Sequence, residues 1–236
     1  MNRFNFICIF YVCCGSVLYG YDSACTTSIL AYPSFLVYFN LNANTIGAMG
    51  SAYYAGAVIG MAANWYFPNK YGRLRTMQIG AVISMIAAAL QTGSPNFAAF
   101  CAGIVIGGFA SGLISVVCPT YASEISPPRV RGRVGGLYTF NVAMTYCLTE
   151  WVGLGFYFLK GNVSWRLLLG CQLIPWALIL GFSFFMPESP CYFAYVERYD
   201  EARNVLEKMH GGGMDERFYL REFYQIRGQL VLDKEE

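Results

Sequence analysis

The chain has 236 residues, 56% of them hydrophobic and only 13% charged, against the roughly 25% charged that soluble domains carry. That balance excludes a water-soluble globular domain. A net charge of +2, with no basic run interleaved with aromatics, excludes nucleic acid as a partner. Six stretches are apolar enough for the roughly 17 to 25 residues a bilayer-crossing helix needs: Phe4–Leu30, Ile46–Phe67, Thr76–Thr92, Phe97–Tyr121, Val134–Leu159 and Leu167–Met186. The first follows Arg3 as a signal sequence would. It lacks a clear small-residue cleavage site, so it reads as a first span that also targets the chain to the membrane.

The connections between these stretches differ in charge. The second holds Lys70, Arg73 and Arg75 and the fourth Arg129, Arg131 and Arg133, whereas the first, third and fifth carry only Lys160 and Arg166. Basic residues mark the cytoplasmic side, so the even connections and both termini are expected there. In the fourth connection, Pro127 and Pro128 lack N–H donors and are expected to stop the helix where water can take over its freed carbonyls. Within the spans, Gly56 and Gly60, Gly103 and Gly107, and Gly108 and Gly112 are each four apart. Each pair shares one helix face and would let a neighbour approach closely.

The pattern changes at Pro187. Residues 1–186 hold nine basic and three acidic side chains, residues 187–236 seven basic and eleven acidic, which divides the chain into a lipid-embedded part and a solvated one. Ala202, Val205, Leu206 and Met209 are spaced as the apolar face of a helix that Gly211 to Gly213 end, and Tyr219, Phe223, Ile226 and Leu230 repeat the spacing. These read as cytoplasmic amphipathic helices lying against the membrane part. The nine cysteines fall almost entirely in apolar stretches without a CxxC pair, and the single histidine, His210, lies in the tail. Buried thiols packing as small apolar groups are therefore expected, with no metal site and no cofactor. With no nucleotide loop and no credible nucleophile–base pair, the chain does not read as an enzyme. Asn162-Val163-Ser164 formally matches a glycosylation acceptor, too close to the membrane for occupancy to be expected.

Several short motifs, in this order, carry more than composition does: "GYD" at 20–22, "NKYGRLR" at 69–75, "PTYASEISPPRVRG" at 119–132, "WR" at 165–166, "PESP" at 187–190 and "DEARNVLEKMHG" at 200–211. Their order and spacing resemble the first half of the sugar porters of the major facilitator superfamily, particularly the fungal members. The resemblance implies an all-α membrane protein. Its six transmembrane helices in residues 1–186 would be the N-terminal half of a twelve-helix fold, and residues 187–236 the start of a cytoplasmic helical linker. It implies a plasma-membrane protein that moves a sugar, as a proton symporter or a facilitator in its full form. Its partners would be the lipid bilayer, the sugar, protons, and either a C-terminal half or a second copy. A non-transporting sugar sensor and an inactive truncated product are the alternatives.

The same resemblance nominates residues. Tyr19, Thr139, Asn141 and Tyr146 fall at or beside sugar-contacting positions, although Thr139 and Tyr146 stand where relatives carry Gln, whose amide offers a sugar more hydrogen bonds. Asp22 is the candidate proton-coupling group. Ile104 replaces the Arg expected opposite it, so Asp22 would lack a cation and carry a proton instead; a polar residue near the outer end of span one is the equal alternative. Asn141, Glu150 and Gln172 also read as helix-packing or interface groups. Arg73, Glu124, Arg131 and Glu188 are expected to form a cytoplasmic gate, the residues alone allowing that they merely solvate helix ends. Asn69 and Leu74 stand where relatives have Asp and a basic residue, which leaves the basic cluster without its expected carboxylate. Cys191-Tyr192 stands where relatives favour Arg-Trp.

Overall fold

The computed structural model describes residues 3–126 and 130–210. Six long helical segments match the six apolar stretches: α1 (Arg3–Ser28), α3 (Ala43–Ala63), α5 (Arg73–Gly93), α6 (Phe97–Ile125), α7 (Arg131–Tyr157), and a broken sixth made of α8 (Val163–Gly170) and α9 (Leu173–Ser183). Short helices α2 (Pro33–Tyr38), α4 (Phe67–Tyr71) and α10 (Pro190–Tyr195) occupy connections, and α11 (Tyr199–His210) follows. Boundaries move from the apolar runs because polar residues still extend a helix. Thr45 accepts from the Asn42 N–H at 2.8 Å to start α3 early, and Asn96 Oδ1 accepts from the Ala99 N–H at 2.9 Å to start α6. The proline pair 127–128 and the second tail helix lie outside the described residues.

Five of the six segments are long and apolar enough to cross a membrane by length and composition. The sixth, α7, has 27 residues, enough in length. Its polar side chains, among them Asn141, Thr145, Thr149 and Glu150, dilute its hydropathy.

Packing follows the small residues. At the α3–α6 crossing, a Cβ on Gly56 or Gly60 would overlap the carbonyl oxygens of Val105 or Phe109, and one on Gly108 or Gly112 those of Tyr53 or Ala57. The two backbones touch because four glycines allow it. Gly103 and Gly107 instead face α5 at Ala87 and Gln91, whose Nε2 donates to the Gly103 carbonyl at 3.1 Å. One apolar cluster joins Val12, Met77, Ile114, Tyr121 and Trp176; a second, with Cys25, Tyr53, Phe100, Ile104 and Trp165, lies beside α2. Phe35 of α2 sits edge-on to Phe100 and Trp165, at 5.2 and 5.5 Å between ring centres.

In the sixth segment Pro175 has no N–H, and the chain breaks between α8 and α9. The Gln172 N–H turns to the Leu169 carbonyl, leaving that of Leu168 to accept from the Tyr21 hydroxyl of α1 at 3.2 Å. The amphipathic reading of α11 agrees with its contacts: Ala202 and Leu206 are buried, and Val205 packs on the first cluster.

Candidate functional site

Polar groups converge where α1, α3 and α7 meet. A cavity of about 180 Å³ opens between them, with the side chains of Ser23, Thr26, Thr27, Tyr53, Tyr54 and Tyr146 on its walls and Ile46 and Met49 as its apolar part. Helical periodicity places Ser23, Thr26 and Thr27 on one flank of α1. The Tyr146 hydroxyl crosses from α7 to hydrogen-bond Ser23 Oγ, and Ser28 Oγ donates to Glu150 Oε1 at 2.8 Å, so α1 and α7 are linked at two heights.

Asp22 is 5% exposed. Its Oδ2 accepts from the Tyr53 hydroxyl of α3 at 3.3 Å and from Ser111 Oγ of α6. Ile104, at the position of the expected arginine, packs in the apolar cluster with Cys25 and Tyr53. Two neutral hydroxyls thus stand where a cation was expected. The sequence does not single out Tyr53 or Ser111, which carry no signal beyond a hydroxyl in an apolar helix.

Of the four nominated sugar contacts, Tyr146 lines the cavity, and half-buried Tyr19 lies near Tyr54, Tyr146 and Asp22. Thr139 and Asn141 are not brought to it. Thr139 is exposed, its hydroxyl donating back to the Gly135 carbonyl at 3.4 Å, and half-exposed Asn141 accepts at its backbone carbonyl from Thr145 Oγ1 at 2.7 Å.

At the other end of the bundle, three motifs distant in sequence meet. Arg73 Nε and Nη2 both reach Glu124 Oε1 at 3.1 Å, with the two side chains 14% and 12% exposed. Ser189 Oγ donates to Glu124 Oε2. Glu188 Oε1 accepts from the Leu74 N–H at 2.9 Å, placing a carboxylate at the N-terminus of α5, where the helix dipole favours it. Gly72 (φ +97°) makes room, because a Cβ there would lie 2.7 Å from the Glu188 carboxyl carbon. The Tyr121 hydroxyl donates to the Pro187 carbonyl at 2.6 Å. The expected loss of a carboxylate partner is corrected here: Glu124 supplies Arg73 with one, while Asn69 turns its amide to the Trp65 carbonyl at 2.9 Å. Arg73, Glu124 and Glu188 are brought together. Arg131 is exposed at the start of α7 and forms no ion pair among the described residues.

Arg73→Gln should strand the Glu124 carboxylate with Ser189 as its remaining side-chain partner. We expect a loss of about 2–4 kcal/mol, somewhat under that of a fully buried broken pair, read as a lower thermal midpoint in detergent. The reversed pair Arg73→Glu/Glu124→Arg should recover part of it. No recovery would mean that the pair contributes through packing instead.

Residues 7–226 match the family model for "Sugar (and other) transporter". The chain belongs to this family. Among its relatives, the high-affinity glucose transporter of Kluyveromyces lactis is 30% identical over 229 residues, covering 95% of this chain and 41% of that protein. The galactose-proton symporter of Escherichia coli is 28% identical over 237 residues, covering 97% and 48%. The structure of the proton:xylose symporter XylE bound to 6-bromo-6-deoxy-D-glucose superposes with a TM-score of 0.88 at 22% identity, covering 98% of this chain and 54% of that one. That likeness establishes the major facilitator fold. The chain therefore spans about half the length of the relatives it matches, as an integral membrane protein of a transporter family rather than an enzyme.

Proposed function

We propose that residues 1–186 form one six-helix half of a membrane sugar transporter and that residues 187–236 begin its cytoplasmic linker. The observation that carries this reading is the hydroxyl-lined cavity beside a buried carboxylic acid, in a chain whose family match runs nearly end to end. Sugars are recognised by hydrogen bonds to their hydroxyls, and Ser23, Thr26, Tyr54 and Tyr146 offer both donors and acceptors. In an alternating-access transporter a second half would close on the exposed sides of α3 and α7, so that the sugar is held near the midplane between halves. Tyr19 and Tyr146 then contribute from this half, and Thr139 and Asn141, outside the cavity wall, would contribute only where the second half closes over α7. Asp22 is the group able to carry a coupling proton. Arg73, Glu124 and Glu188 serve as a cytoplasmic gate whose contacts bias one state over another, with Arg131 free to reach the opposing half.

The test is uptake of labelled D-glucose, D-xylose and D-galactose by cells without hexose uptake of their own. The cells express residues 1–236 together with the second half of a relative, and saturable uptake of at least one sugar is expected. Both halves present in the membrane with none of the three taken up would sink the reading.

The topology proposed is cytoplasmic termini in the plasma membrane. In a background cleared of native cysteines, Asn44→Cys and Pro95→Cys should react with an impermeant maleimide added to intact cells. Asn69→Cys should react only after permeabilisation. The opposite pattern would invert the orientation.

A further inference from the structure

Asp22 does not itself line the cavity. Of the residues that do, Tyr53 is the one whose hydroxyl reaches the Asp22 carboxyl, at 3.3 Å, and Tyr53 is only 6% exposed. The other hydroxyl on Asp22, that of Ser111, comes from α6, lies within reach of the Tyr53 hydroxyl and is not part of the cavity wall. The two donors to one carboxylate oxygen thus belong to different surroundings, one in contact with whatever fills the cavity and one sealed in the helix packing. The titratable groups facing Asp22 are Tyr19 and Cys25 of its own helix and Tyr53 of α3; from α6 it meets the Ser111 hydroxyl. Among the described residues no cation pairs with it. With no opposite charge nearby, the hydrogen bonds to Asp22 are the main lever on its protonation.

We propose that Tyr53 is the positioning residue that couples occupancy of the cavity to Asp22. A sugar hydroxyl in the cavity competes for the Tyr53 hydroxyl or reorients its ring, and Asp22 loses or changes one donor while keeping Ser111. Because linkage is reciprocal, a proton on Asp22 alters sugar affinity by the same factor that sugar alters proton affinity. Ser111 holds Asp22 in place but takes no part in this exchange. The inference rests on the reading of the cavity as part of a sugar path.

The test is infrared difference spectroscopy of residues 1–236 co-assembled with the second half of a relative in lipid nanodiscs, using D-glucose or, where only they bind, D-xylose or D-galactose. The carboxyl band is assigned with Asp22→Asn and recorded with and without the sugar, at concentrations that calorimetry shows to saturate each variant. In the wild type, the sugar should shift the Asp22 band; Tyr53→Phe should lose that shift; Ser111→Ala should move the resting band yet keep the response. If the sugar binds and the wild-type band stays still, or if Tyr53→Phe responds as the wild type does, the coupling is wrong while the sugar reading survives. If the co-assembled wild type binds none of D-glucose, D-xylose and D-galactose, both fall together. Should Tyr53→Phe fail to fold or to bind, Ser111→Ala decides alone: a retained response supports the assignment, and a lost one overturns it.

Discussion

Gly60→Ala and Gly112→Ala, singly, should each prevent the chain from accumulating as a folded membrane protein. At both positions the new methyl would lie inside the contact distance of a backbone carbonyl, Phe109 for Gly60 and Ala57 for Gly112, and a backbone cannot rotate aside as a side chain does. Relief requires α3 and α6 to separate along their whole crossing, which removes the close packing that holds helices together in lipid, where no hydrophobic force acts between them. Overpacking against side chains costs about 1–3 kcal/mol; against backbone at a crossing of four glycines the cost should exceed about 3 kcal/mol. Gly47 supplies the control, since a Cβ there meets nothing within 4 Å and alanine is the better helix former. Gly47→Ala should purify as well as the wild type or better. Monodispersity in detergent and the thermal midpoint read out all three variants; a Gly60→Ala protein as stable as Gly47→Ala would show that the crossing is looser than described.

Residues 1–236 expressed without any second half should give no saturable sugar uptake in liposomes. The cavity is walled chiefly by α1, α3 and α7, and α3 and α7 leave large side chains open, with Tyr54 67%, Val58 64% and Trp151 67% exposed. Glu150 and Thr139 are likewise exposed on α7. Carboxylate and hydroxyl groups facing hydrocarbon are costly, so the isolated chain should aggregate or pair with a second copy of itself through this face. Pairing would cover the polar groups without supplying the ligands of a different half. Uptake of labelled hexoses, pentoses and disaccharides, with and without a proton gradient, should match empty liposomes. Saturable uptake would show that two copies can build a working site.

The Arg73–Glu124–Glu188 cluster and the surroundings of Asp22 differ in how far they could be read in advance. Arg73, Glu124 and Glu188 stand in motifs that the resemblance to sugar porters marks, and the structure brings them together, with Glu124 answering the carboxylate that Asn69 fails to provide. Tyr53 and Ser111 stand in ordinary apolar helices, where a hydroxyl carries no periodic signal. Thr139 and Asn141 were nominated by analogy of position, and neither lines the cavity. Asp22 meets two neutral donors and no cation among the described residues, and those donors could not be foreseen from a list of charged residues.

The sequence by itself determined the number and order of the spans, because length of apolar run is a property of the chain that lipid reads directly. It also determined the small faces of the glycine pairs, because residues four apart share a side of any helix. Only the tertiary structure decided which helix each face meets: Gly56 and Gly60 against α6, Gly103 and Gly107 against α5. It likewise decided that a tyrosine from α3 and a serine from α6 converge on one aspartate of α1. Partners from different helices depend on the rotation and depth of each helix, set by the packing of all six together, and no local pattern encodes that.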